Sequence, residues 1–233
     1  YATGFLVLGW INHLSIIFIS TLILTLLIWL PHFLVLSNFW WLNFQNGFNT
    51  IYRNFDGLEY ITIAKTFYNP GLIAGVPQEL PAKYFASHFP GFSALIFFFA
   101  PILGYLKSML FISLLFTILS AWIFYFLVKD FKLTQNPLFL SLIFLILPAR
   151  WLTVHSVGSS EPMFIFFILV SIYLFLKFEN SKQYFFLILA SISGLLAQVT
   201  RPPGILLFAA LALYVYWNFY KQAKSIGPIK AWV

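Results

Sequence analysis

Three short clusters hold the side chains able to do chemistry. In Arg53-Asn54-Phe55-Asp56-Gly57-Leu58-Glu59, two carboxylates stand three residues apart just after a guanidinium. On a helix that spacing shares one face. A capping box, with Asp56 as N-cap and Glu59 at N3, explains part of the pattern. It leaves Arg53 and the survival of an acidic pair in so apolar a chain unexplained, and a carboxylate there suits a general base toward an acceptor hydroxyl. His88-Phe89-Pro90-Gly91 reads as a helix start; His88 also suits donation to a phosphate or hydroxyl. In the third cluster, His155 to Pro162, Glu161 precedes a proline as helix starts do, and it offers a second carboxylate to complete a site with Asp56.

Arg150 and Arg201 flank that last cluster. Snorkelling to headgroups is their plain role, yet guanidinium is also the better fork for phosphate oxygens. Two acids are few for a hard cation. No cofactor is demanded, and a divalent cation, Mg or Mn, held by Asp56 and Glu161 stays open. No CxxC, HExxH or phosphate-cradling glycine loop occurs.

The elements that must position these residues follow from composition. The chain has 233 residues, of which 61% are hydrophobic and 8% charged, with a mean hydropathy of +0.92. Soluble domains carry about 25% charged residues, so the expected class is an all-α polytopic membrane bundle. Cysteine is absent, which excludes a disulfide scaffold. The net charge of +7 is spread thinly, without the dense basic stripe of a nucleic-acid binder. Apolar runs predict six spans: 14–36, 108–128, 137–154, 162–178, 184–199 and 203–220. A polar loop at 37–107 interrupts them. Within it, 56–68 reads as an amphipathic helix on the membrane surface, with Leu58, Ile61, Ala64 or Lys65, and Tyr68 at helical spacing.

The stretch 91–105 is apolar but short. If it does not cross, Lys129, Lys132, Lys177, Lys182, Lys221, Lys224 and Lys230 share one side, the cytoplasmic one by the positive-inside rule. All three arginines and four of the six acids, Glu79 among them, then share the other. If it does cross, the lysines split. The first arrangement is expected. The chain reads as one module over 1–233, and as the N-terminal part of a longer protein.

Taken together, the clusters resemble the GT-C superfamily of integral membrane glycosyltransferases, which use polyprenyl-phosphate-linked sugars. Arg53 through Ala64 (RNFDGLEYITIA) is similar to the W-D-x-x-x-Y/F-x-x-I-A stretch of the mannosyltransferases of GPI-anchor assembly and their bacterial relatives, with Phe55 at the tryptophan position. His88 to Gly91 resembles the element that ends the same loop. Pro148 to Glu161 resembles the second outer loop, with Glu161 where many branches have Asp. Thr200 to Gly204 is similar to T-R-x-x-G.

The resemblance implies an inverting transfer of a mannose-like hexose from a polyprenyl-phosphate donor to the hydroxyl of a lipid, glycan or protein acceptor. Asp56 would be the base, with Glu161 beside it in the catalytic pair. Arg201, His88 and Arg150 would hold the leaving phosphate, while Glu59 and Glu161 orient the acceptor or a metal; Arg53 and His155 join the binding set. The setting would be the extracytoplasmic face of a prokaryotic plasma membrane. A transporter or flippase, or a non-catalytic subunit, is the rival reading. Transporters place charges near the midplane, whereas here the charges gather at span ends.

Overall fold

A computed structural model describes residues 2–37, 39, 41–77 and 80–226, with side chains between 11 and 221. Glu79, Lys230 and the Lys224 side chain fall outside that description. Among the described residues the regular secondary structure is all helical, apart from one isolated bridge between Phe39 and Leu42. Eleven helices are numbered in chain order: α1 (Ala2–Phe33), α2 (Asn49–Tyr52), α3 (Gly57–Thr66), α4 (Pro70–Ala74), α5 (Pro90–Leu103), α6 (Tyr105–Asp130), α7 (Pro137–Phe144), α8 (Ala149–Val154), α9 (Glu161–Ser181), α10 (Tyr184–Thr200) and α11 (Ile205–Ile226). Stretches within α1, α6, α9 and α11 are long and apolar enough to cross a membrane. With no water in the hydrocarbon region, a helix is the way a single segment satisfies its own backbone.

Side-chain contacts set the direction of each helix. Trp122 Nε1 donates to Leu14 O at 3.1 Å near one end of α1, and Trp29 Nε1 donates to Ser156 O at 2.6 Å near the other. Helices α6 and α9 run the same way. Ser113 Oγ donates to Ser159 O at 3.0 Å and Ser120 Oγ to Pro162 O at 3.1 Å. At their far ends Lys177 meets Asp130 at 2.9 Å. Helix α10 returns antiparallel to α9, held by Ser171 Oγ to Ala190 O at 2.8 Å. The bundle therefore has a lysine end, with Lys129, Lys132, Lys177 and Lys182, and an opposite end that carries the 34–104 loop.

The 91–105 stretch folds back against α6 near the loop end. Gly91 lies against Thr200, at the loop end of α10. Gly104, at a φ of +76°, turns the chain so that α5 and α6 pack antiparallel, with Phe99 edge-on to Phe111 at 5.3 Å. Four residues into α6, Met109 already touches Gly57 and Gly158 of the loop end. Both ends of α5 thus sit at one end of the bundle.

The 137–154 span is a broken helix. Asn136 caps α7 by accepting from Phe139 N at 3.1 Å. Pro148 follows its end, with no N–H to continue the helical ladder, and α8 resumes for six residues.

The stretch read as a surface helix is also different. Helix α3 buries Gly57, Tyr60, Ile61 and Ala64 toward α5 and α6, while Ile63 packs with Ile73 and Phe85 on its other side. Leu58 is exposed and Tyr68 lies past the helix end. The surrounding loop covers both faces, so the apolar residues meet protein.

Candidate functional site

The start of α3 is fixed by a close approach. A Cβ on Gly57 would sit 2.8 Å from Gly158 O and 2.8 Å from Met109 Sδ. Only a residue without a side chain lets the first loop dock there on the loop that precedes α9. Asp56 is the N-cap of α3, yet its carboxylate caps nothing. It faces His88 instead, with Oδ2 3.7 Å from Nε2, and its side chain is 51% exposed. The predicted capping box is therefore absent, and the acid is free for other work.

His88 is buried beneath it. Its Nδ1 lies 3.2 Å from Ser87 Oγ, and its carbonyl accepts from Tyr68 OH at 2.6 Å. Burial pushes the Tyr68 phenol up to about 12, so it stays protonated and keeps donating. The predicted role of His88 as a direct phosphate donor gives way to contact with Asp56 and with the Tyr60 ring, edge-on at 5.2 Å.

Tyr60 lies one helical turn beyond Asp56 and is 4% exposed. Its hydroxyl is 2.9 Å from Ser160 Oγ. Arg201 Nη1 donates to the same Ser160 Oγ at 3.1 Å and pairs with Glu161 Oε1 at 2.7 Å. The other Glu161 oxygen accepts from Ser159 Oγ. Burial raises the Tyr60 phenol, against the Ser160 hydrogen bond and the Arg201 charge, while Glu161 and Asp56 add to the rise. Tyr60 therefore lies within electrostatic reach of Arg201, Glu161 and Asp56. Sequence reasoning passed over Tyr60 and Ser160. The tyrosine could have been found from its register, four residues after Asp56 on the same face.

Arg201 owes its place to a tight reversal. A Cβ on Gly204 would lie 2.5 Å from Gln198 Cα, so glycine allows the 202–204 turn to fold onto the last turn of α10. Arg201 and Glu161, with Arg150, line a groove of about 440 Å³ that is otherwise largely apolar, including Phe144, Leu147 and Ile165. Arg150 also lies over the Phe55 ring, its guanidinium carbon 5.9 Å from the centroid. Phe55 is in the left-handed region at a φ of +51°, unusual for a bulky side chain.

The remaining predicted residues go elsewhere. Arg53 borders two further hollows, one shared with Glu59 and Lys65 and the other with Asn54. His155 is 1% exposed, its Nε2 3.2 Å from Leu145 O and its ring edge-on to Trp151. Burial lowers its pKa. It is enclosed in the protein, where a substrate does not reach. A larger hollow along α1, about 600 Å³, has a wholly apolar lining with Trp29 and Phe48 among it and offers no chemistry.

Among the described residues, no three His, Asp or Glu side chains gather as a metal site. Asp56 faces His88 and Glu161 faces Arg201, a donor set ill suited to a divalent cation.

The description of dolichyl-phosphate-mannose-protein mannosyltransferases matches residues 101–233, more than half of the chain. The chain belongs to this family. It is a GT-C mannosyltransferase-like membrane protein, and a glycosyltransferase of that type. The match includes Arg150, Glu161 and Arg201, and it begins after Asp56 and His88. No curated protein and no solved structure matches the chain.

Proposed function

We propose that the chain moves a mannose-like hexose from a polyprenyl-phosphate donor to an acceptor hydroxyl, with inversion, at the loop end of the bundle. The observation that carries this reading is the groove in which Arg150, Glu161 and Arg201 interrupt an apolar lining. An isoprenoid chain needs an apolar bed, and its phosphate needs a fork of donors where that bed meets water. Arg201 supplies the fork. Glu161 and Ser160 hold it in place from two directions, which limits its reorganisation during the reaction. Arg150, exposed in the same groove, adds a second cation for the departing phosphate.

Asp56 acts as the base. The acceptor hydroxyl attacks the anomeric carbon, the bond to the phosphate oxygen breaks, and the proton passes to the Asp56 carboxylate. Attack from the face opposite the leaving group inverts the centre. His88, too enclosed to meet the donor, orients the carboxylate. Tyr60, through Ser160, keeps the base and the phosphate fork in one frame. No step is routed through a metal ion.

The test is transfer from polyprenyl-phosphate-mannose in proteoliposomes. Loss of a general base typically costs about 10²- to 10⁴-fold, and Asp56→Asn is expected to lose that much at unchanged protein level. Wild-type rates in this variant would overturn the assignment of the base.

A further inference from the structure

Five polar side chains that the fold leaves unused surround one hollow of about 440 Å³: Asn46, Asn49, Thr50, Arg53 and Asn54. Other polar groups of the same loop are engaged. Asn43 Nδ2 donates to Gln45 Oε1 at 3.3 Å, and Asn69 accepts from Gly71 N and Leu72 N. Among the described residues, the five side chains of the hollow make no hydrogen bond or ion pair. Three carboxamides, a hydroxyl and a guanidinium thus converge on one space with their donors and acceptors still available.

We propose that this hollow is the acceptor subsite and that the acceptor headgroup it takes is a saccharide. The inference rests on the transferase reading above. A carboxamide presents a donor beside an acceptor, which is the pairing that vicinal hydroxyls offer in return, and the Arg53 fork spans two neighbouring oxygens. The lining has no apolar side chain to seat a residue of a peptide. Nor is there an open strand edge among the described residues for a peptide to extend. The location suits attack on the donor. Asn54 lies two residues before Asp56, so their Cα atoms are within about 7.6 Å along the chain. The left-handed turn at Phe55 joins the two, and it is held from the groove side by Arg150. An acceptor held by Asn54 and Arg53 therefore presents its hydroxyl next to the base. The family description names a protein as acceptor; this hollow favours a sugar.

Two measurements test it. Saturation-transfer NMR on the wild-type protein in nanodiscs, without donor, uses methyl α-mannoside and a threonine-containing peptide as probes. The saccharide is expected to receive signal and the peptide none. In proteoliposomes, the KM for methyl α-mannoside should rise about tenfold in Asn46→Ala and again in Asn49→Ala, the loss expected for a hydrogen-bonded amide. Signal on the peptide alone, or a KM within about twofold of wild type in both variants, would overturn the proposal. Donor turnover by the wild type distinguishes the failures. If the donor is consumed and the peptide is mannosylated, the transferase reading stands and the saccharide subsite falls. If the donor is not consumed at all, the transferase reading itself falls.

Discussion

Arg201 is held from two directions, by Glu161 Oε1 at 2.7 Å and by Ser160 Oγ at 3.1 Å, and both contacts use the same Nη1. The rest of the guanidinium is left for a ligand, whereas a lysine making both contacts would keep one donor and no planar fork. Arg201→Lys keeps the charge but loses the planar fork, so transfer is expected to fall roughly ten- to a hundredfold at saturating acceptor while the protein stays folded. A lysine variant with full activity would show that only charge is needed. Tyr60→Phe removes the hydroxyl on Ser160 and leaves the ring packed. Stability should drop by about 0.5–1.5 kcal/mol in a thermal-shift measurement, with a further loss in transfer rate because base and fork lose their common tie.

His155 has a different consequence. Its folded pKa is depressed by burial, so below the ordinary histidine value the unfolded chain takes up a proton that the folded chain refuses. Stability is therefore full above that value and falls as pH drops toward the depressed one, by at most about 1.4 kcal/mol per pH unit. His155→Gln should flatten this part of the melting-temperature profile between pH 7 and 5. An unchanged slope would mean that other groups carry it. The family resemblance placed His155 among the binding residues; its enclosure depends on α7, α8 and Trp151 folding around it, which no local pattern records.

At the scale of elements, the break between α7 and α8 and the docking of α3 shape the site. Helix α7 ends short of Pro148, and the short α8 lets Arg150 reach Phe55. The apolar run over 137–154 made a span legible but not its break, because proline inside a membrane helix is tolerated when neighbouring groups take up the freed backbone. Asp56, Glu161 and Arg201 were legible as residues that a bilayer would otherwise exclude. The contact that ties their segments together was not: Tyr60 and Ser160 lie one hundred residues apart, and they meet where Gly57 packs on Gly158 beside Met109. Gly57→Ala tests that docking. Its Cβ would meet the Gly158 carbonyl, which is backbone and cannot rotate away, so the variant should lose about 1–3 kcal/mol. It should also separate Asp56 from Arg201, and transfer should fall with the melting temperature. Full activity in a stable Gly57→Ala protein would show that the approach has slack.

The whole molecule is polarised. Lys129, Lys132, Lys177 and Lys182 gather at one end, while the arginines, Asp56, Glu161 and the amide-lined hollow lie at the other. Lysine-rich loops stay on the cytoplasmic side because translocating them is costly, so the arrangement predicts that the chemistry faces outward. An exposed apolar flank is natural for helices bathed in lipid, and gathering the arginines, Asp56 and Glu161 at one end agrees with a substrate whose tail stays in the bilayer while its sugar is handled at the boundary. The absence of cysteine makes this open to a direct test. Gln45→Cys, exposed in the first loop, and Gln135→Cys, exposed between α6 and α7, introduce one thiol each at opposite ends. In intact cells a membrane-impermeant maleimide should label Gln45→Cys and spare Gln135→Cys, which should react only after permeabilisation. The reverse pattern would put the lysine end outside and the site on the cytoplasmic face. Labelling of both in intact cells would mean that the two loops share a side, which a bundle with this helix order does not allow.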